Sequence, residues 1–258
     1  MPAELDPAEL LDVALAAARA GAEVLTAGVR ATLDVTTKGE AGNLVTDIDV
    51  AAEQAVRTVI EARRPVDGVT GEELPPTSPR DTAAVRWSID PLDGTTNYIR
   101  GFPYFATCVG AVDTAGDWVA GVVAAPALAK TYFASRGSGA WLADHRGVRR
   151  LTGPARDPGA RLLGMGFSYS AQMRAQQFTE TAEHMQHYTD ARILGSAALA
   201  ICAVAEGTLD GFIETDLGEH DWAAAAVVAE QAGLHVERPG PHSRALRVER
   251  ADYSPSAL

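Results

Sequence analysis

The sequence predicts an α+β fold in which layers of helix and sheet form one functional unit. Three observations carry that expectation. Helical patterns lie on both sides of a central antiparallel meander, 47% of the 258 residues are hydrophobic, and no internal repeat or low-complexity tract interrupts the chain. That much apolar surface is enough for a large core with sheets covered by helices. The expected organisation is a single domain over residues 1–258, with one lobe up to about residue 150 and a second lobe beyond it.

The elements follow in order. Asp6 as N-cap, Pro7 at the first helical position and Glu9 three residues after the cap start a helix through the Ala- and Leu-rich stretch 10–24. Glu4, Asp6 and Glu9 stand where a signal peptide carries positive charge, so this stretch is not read as a targeting segment. Residues 43–49 lead into a second helix, whose apolar side is expected at Val50, Ala51, Ala55, Val56 and Val59 and whose end is set by Arg63, Arg64 and Pro65. Residues 75–79, with three prolines, read as a short surface loop. Val85, Trp87 and Ile89 alternate with polar residues as a strand does. Pro91 is expected to stop that strand's ladder by removing a donor, and Asp93-Gly94-Thr95-Thr96 to open a helix. Tyr104 to Leu142 reads as the meander. Beyond it lie a strand at 161–167, a helix at 171–188, a strand at 192–195 and a helix from Ser196 to Glu206. A strand at 209–214 and an Ala-rich helix at 221–233 complete the reading.

Charge and composition exclude several classes. The net charge is −12, from 34 acidic and 22 basic residues, which argues against a nucleic-acid backbone or an anionic membrane as partner. No stretch reaches the ~18 uninterrupted apolar residues of a membrane span. Cys108 and Cys202 are far apart and form no Cys-x-x-Cys; both are expected as buried free thiols in a reducing cytoplasm.

The chemistry lies in three acidic segments: Gly71-Glu72-Glu73, Asp90-Pro91-Leu92-Asp93-Gly94-Thr95-Thr96, and Glu214 followed by Asp221. One Asp-x-x-Asp is often a solvated turn. Here the turn puts Asp90 and Asp93 at one spot, where two carboxylates ~4 Å apart repel by about 4 kcal/mol at an effective dielectric of ~20. A cation between them removes that penalty. Oxygen ligands without Cys or a His cluster select magnesium, manganese or calcium over zinc.

Taken together, these segments resemble the inositol monophosphatase family, within the lithium-sensitive, magnesium-dependent phosphatases. The resemblance also rests on Asn97-Tyr98, on Arg192-Ile193-Leu194-Gly195-Ser196-Ala197-Ala198-Leu199, and on His220-Asp221 with a helix ending Glu230-Gln231-Ala232-Gly233. It implies a layered αβαβα fold, a homodimer, and hydrolysis of a small phosphate monoester, inositol monophosphate first. Histidinol phosphatase, fructose bisphosphatase and nucleotide 3′-phosphatase activity are alternatives on the same fold, and a non-catalytic regulatory protein is the alternative of another class. It implies two or three magnesium ions, with manganese as a substitute: one held by Glu72, Asp90 and the main-chain carbonyl of Leu92, a second by Asp90, Asp93 and Asp221. Thr95, paired with Asp49, would orient the attacking water and Glu72 would help activate it. Gly94 and Thr95 would hold the phosphate, and Asp93, Gly195, Ser196, Ala197, Glu214 and Asp221 the rest of the substrate. Lys38 falls where the family often has a lysine near the metals, with a solvated loop lysine as the alternative; Glu214 has a strand-end surface acid as its alternative. Family members usually carry Trp before the Asp221 position. Here His220 precedes it and Trp222 follows, so the wall beside that acid is expected to differ.

Other signals are weak. His184 and His187 lack a third ligand and read as surface residues, and Gly137-Ser138-Gly139 reads as a turn.

Overall fold

The computed structural model describes residues 5–29, 35–37, 44–79, 83–155, 159–240 and 243–252. Lys38 and Asn43 lie outside them. Helix α1 (Pro7–Gly28) begins as expected, with Asp6 Oδ1 accepting from the Ala8 amide at 2.9 Å. The short strands β1 (Val35–Thr37) and β2 (Leu44–Thr46) pair with each other and lead into α2 (Asp47–Arg63). Seven strands then make the first large sheet: β3 (Gly68–Gly71), β4 (Val85–Asp93), β5 (Ala106–Asp113), β6 (Trp118–Ala125), β7 (Lys130–Ser135), β8 (Gly139–Asp144) and β9 (Gly147–Leu151). They lie side by side in chain order, β3 parallel to β4 and the rest antiparallel, so the expected meander is present. The six-residue α3 (Thr95–Arg100) follows β4 directly.

The second sheet has five strands in the order β11-β10-β12-β14-β13. These are β10 (Leu162–Met165), β11 (Asp190–Arg192), β12 (Gly211–Thr215), β13 (Leu234–Glu237) and β14 (Ala245–Arg250), with α4 (Ala171–His184), α5 (Ala197–Glu206) and α6 (Glu219–Gln231) between them. Helices α1 and α2 cover one face of the seven-stranded sheet, and α5 and α6 lie between the two sheets. With α4 over the five-stranded sheet, the layers run α/β/α/β/α, as the resemblance implies.

The middle helix layer sits unusually close to the first sheet. Gly110 and Gly121 face each other across β5 and β6, and a Cβ at Gly121 would overlap the Ala224 carbonyl of α6. Glycine in the strand and Ala223 to Ala226 in the helix are two sides of one contact. This contact seats α6, the helix that carries Asp221, against the first sheet.

Four local expectations are corrected. Pro91 does not end its strand: β4 continues to Asp93 through a bulge, Asp90 opposite Cys108 and Asp93 opposite Ala106. A bulge tolerates the missing donor, and Thr107 Oγ1 donates to the Pro91 carbonyl at 2.9 Å. The buried face of α2 is not the purely apolar one: Val50 and Ala51 are exposed, while Asp49, Ala52, Glu53, Val56, Arg57 and Ile60 are buried. The helix at 171–188 ends at His184, where i→i−3 bonds from Gln186 and His187 tighten the chain. The strand at 192–195 is β11, over before Ile193, because Gly195 is left-handed at φ 76° and Asn97 Nδ2 takes the Leu194 carbonyl at 2.8 Å. Cys108 and Cys202 are buried free thiols, and Gly137-Ser138-Gly139 is the turn between β7 and β8.

Candidate active site

Asp90 is more deeply buried than Asp93, the other acid of its motif. The bulge in β4 directs it inward, where it is 1% exposed and Oδ1 accepts from the Leu92 amide at 3.0 Å. Burial pushes its carboxyl well above the usual range, and the charges of Glu72, Asp93 and Asp221 push it further in the same direction.

Asp93 ends β4 and reaches across to the start of α5. Its Oδ2 accepts from Ser196 Oγ at 2.6 Å and the Ala198 amide at 2.8 Å, and Oδ1 from the Ala197 amide at 3.3 Å. The carboxylate thus sits on the N-terminus of α5, with Ser196 as that helix's own N-cap. Burial nevertheless raises Asp93 to about 7, with Asp221 adding repulsion and the Ser196 bond opposing it.

Thr95 and Asp49 form the expected pair. Thr95 Oγ1 lies 3.0 Å from Asp49 Oδ1 and 3.1 Å from the Leu92 carbonyl oxygen. Asp49 is fully buried because it is also the capping acid of α2, its Oδ2 accepting from the Thr46 amide at 2.8 Å and Thr46 Oγ1 at 2.6 Å. Gly94, at φ 101°, supplies the left-handed step between β4 and α3. Asp47 is exposed at the start of α2.

Asp221 enters from the third position of α6, where its Oδ2 accepts from the Gly218 amide at 2.6 Å. The start of that helix is pinned by an ion pair between Arg86 of β4 and Glu219, 2.5 Å and 3.0 Å for its two bonds. Trp222 belongs to the core: it is 8% exposed and packs edge-on against Trp118, ring centroids 5.7 Å apart. Neither His220 nor Trp222 lines the cleft, although His220 Nε2 stands 3.6 Å from Asp221 Oδ1.

These residues meet in one cleft of about 610 Å³. Glu72, Asp90, Leu92, Asp93, Gly94, Thr95, Gly195, Ser196, Ala197, Glu214 and Asp221 all line it. Asp49 stands behind it, bonded to Thr95. Glu214, at the end of β12, is raised to about 8 by burial and then by Asp221, Asp93 and Asp216. A Cβ at Gly166 would overlap its carboxylate.

Some cleft residues carried no assignment from sequence. Asn97 Nδ2 ties α3 to the Tyr104 and Leu194 carbonyls, both at 2.8 Å. Tyr169 and Thr96 both line the cleft, and Ser168 Oγ donates to Asp216 at 2.6 Å. Asn97 belongs to the quoted motif and was legible as such. Residues 166–170 form an irregular stretch between β10 and α4, with no periodic signal.

The acids suit a hard cation by donor type, since every one is an oxygen ligand and Asp90 is buried among like charges. Among the described residues, no three Asp, Glu, His or Cys side chains are grouped as ligands of one ion. Glu72, Asp90, Asp93 and Asp221 nevertheless share one cleft, and a carboxylate oxygen that accepts one hydrogen bond, as Asp93 Oδ1 and Asp221 Oδ2 do, keeps a further lone pair for a cation. The residues fit the group.

The inositol monophosphatase family model matches residues 6–257. The chain belongs to the inositol monophosphatase family. An inositol-1-monophosphatase of Mycobacterium bovis is 40% identical over 199 residues, covering 74% of this chain and 67% of that relative. A protein of Pasteurella multocida named Nus factor SuhB is 34% identical over 237 residues, 91% of this chain and 87% of the relative. Among solved structures, the extragenic suppressor protein SuhB of Bartonella henselae superposes with a TM-score of 0.85 at 28% identity, covering 94% of each chain.

Proposed function

We propose that this inositol monophosphatase family member is a magnesium-dependent phosphomonoesterase acting on inositol monophosphate. The observation that carries the reading is the cleft itself, where Glu72, Asp90, Asp93 and Asp221 surround a Thr95 hydroxyl held by buried Asp49. Glu72, Asp90 and the Leu92 carbonyl would hold one ion, and Asp90, Asp93 and Asp221 a second; two or three magnesium ions, or manganese in their place, are expected. Such ions, when bound, neutralise phosphate charge, activate water and stabilise the leaving oxygen.

The chain's own groups supply the rest. Asp49 fixes the Thr95 hydroxyl, which positions the attacking water, and Glu72 accepts its proton. The amides of Gly94 and Thr95 face the phosphate. Glu214 and Asp93 hydrogen-bond the hydroxyls of the polyol, and Gly195, Ser196 and Ala197 shape that side of the cleft. Holding these groups in place is worth several orders of magnitude in rate, because it removes the entropy cost of assembling them in the transition state.

The same reading includes a homodimer in the cytoplasm. Phe102, Phe178 and Ile193 are large apolar side chains left exposed, and sedimentation equilibrium tests the dimer, a monomer at micromolar concentration refuting it. Among the described residues, no helix is long and apolar enough to cross a membrane. Lithium inhibition through the second ion position belongs to this reading as well.

A second reading, a regulatory protein keeping the fold, is favoured by the Pasteurella relative's name. Magnesium-dependent phosphate release separates the two. Inositol 1-phosphate, histidinol phosphate and fructose 1,6-bisphosphate are compared side by side, with inositol 1-phosphate expected to give the highest kcat/KM. Absence of release from all three sinks the enzymatic reading, and preference for another ester sinks the substrate.

A further inference from the structure

We infer that Glu53, with Arg57, is the positioning residue for Glu72, and that it sets the affinity of the metal position to which Glu72 belongs. The inference rests on the metal-site reading above and deepens it. Glu53 is 0% exposed on the inner face of α2, and its ion-pair partner Arg57 is nearly as deeply buried. A buried charge pair of this kind is weak evidence of stabilisation, since its desolvation cost offsets its attraction. Its geometry shows another use.

Glu53 Oε2 accepts from the Glu73 amide at 2.7 Å, and Oε1 from the Leu74 amide at 3.3 Å and Arg57 Nε at 2.8 Å. Arg57 Nη2 then donates to the Leu74 carbonyl at 3.1 Å. The two side chains therefore hold the backbone immediately after Glu72 through donors and an acceptor together. On the other side of Glu72, Gly71 is the only residue type that fits, because a Cβ there would overlap the Glu53 carboxylate. The loop is clamped on both flanks of the cleft acid by one buried carboxylate.

The clamp stands on the element that also carries Asp49. Asp49, Glu53 and Arg57 follow one another at intervals of four on α2, so they share one face of a rigid helix. Asp49 fixes Thr95 at one end of the cleft and Glu53 fixes the Glu72 loop at the other. Helix α2 thus sets the spacing between the group assigned to orient water and the acid assigned to receive its proton.

The test is manganese binding to the substrate-free protein, read from the electron paramagnetic resonance signal of free Mn²⁺, with a magnesium activation curve alongside. Glu53→Gln keeps the shape but replaces one acceptor oxygen with a donor facing the loop amides. Manganese affinity is expected to fall roughly 10- to 100-fold, the range typical of groups that orient metal ligands, with kcat restored at high magnesium to within about threefold of wild type. If this variant fails to fold by circular dichroism, Glu53→Asp carries the test: the pair with Arg57 survives, the acceptors retreat from the loop, and the same loss is expected. Wild-type manganese affinity in a folded variant, even one with a lowered melting temperature, would overturn the inference and leave Glu53 a structural prop. Asp90→Asn run in parallel separates the two levels. If Asp90→Asn also binds manganese normally, the metal-site reading falls and this inference with it; if only the Glu53 variants do, the inference alone falls.

Discussion

Glu214→Gln should stabilise the metal-free chain and the gain should grow with pH. The carboxyl is raised from 4.5 to about 8, by burial first and then by Asp221, Asp93 and Asp216. Because the folded state holds this proton to higher pH than the unfolded state, the folded chain binds more protons between those values, and stability falls as pH rises through them. The loss begins above the unfolded pKa and is complete above the folded one. At about 1.4 kcal/mol per pH unit, it amounts to about 1 kcal/mol at pH 5, about 3 at pH 7 and about 5 at pH 9. A neutral isostere suffers none of it. Urea unfolding of both proteins in EDTA at the three pH values measures the difference, and added magnesium should shrink it, since cations in the cleft offset the repulsion. At pH 9 with magnesium, where Glu214 is ionised, the same substitution should weaken turnover of inositol 1-phosphate about ten- to a hundredfold more than that of a small generic phosphate ester, the worth of a hydrogen bond to a charged group. A stability difference that does not grow between pH 5 and pH 9 would refute the electrostatic argument, and equal losses on both substrates would refute the substrate contact.

Three further outcomes are expected. Asp90→Asn should abolish magnesium-dependent phosphate release while leaving the metal-free fold intact by circular dichroism and no less stable near pH 8, since it removes a buried like charge; activity within about tenfold of wild type at saturating magnesium would contradict its role as a shared ligand. Thr95→Ala should lower kcat by ~10² to 10⁴-fold, as loss of a group engaged in proton transfer does, with manganese affinity unchanged by calorimetry; metal binding lost in step with activity would make Thr95 a ligand or a prop. Lithium at millimolar concentration should inhibit in competition with magnesium at the position of Asp90, Asp93 and Asp221, and an uninhibited rate at saturating substrate would refute that assignment.

The part of this molecule that was legible in sequence is the part built from local rules. The start of α1 rests on Asp6 and Pro7, the entry to α5 on Ser196, and the meander on alternation broken by turn residues, all of which act within a few positions. The acids were legible because hard-cation chemistry needs carboxylates, and their motifs are short. What escaped depends on contacts distant in sequence. Pro91 reads as the end of a strand until Thr107 of the neighbouring strand accommodates it in a bulge. Trp222 is visible in sequence only as a departure from the family pattern beside Asp221, and its place in the core depends on Trp118, about a hundred residues earlier.

The face of α2 is the most instructive miss. Apolar residues alone place it at Val50, Ala51, Ala55, Val56 and Val59, whereas the buried stripe is Asp49, Ala52, Glu53, Val56, Arg57 and Ile60. The stripe has perfect helical spacing once charged residues are allowed into it, and a buried acid at intervals of four with an arginine is a recognisable pattern. Burying three charged side chains on one helix is a poor route to stability, and an apolar stripe would serve the core as well. Each of the two acids instead bonds at or next to a cleft residue, Asp49 to Thr95 and Glu53 to the backbone that follows Glu72. The departure from the hydrophobic rule therefore follows the contacts α2 makes beside the cleft, and its own hydropathy conceals that until its partners are known.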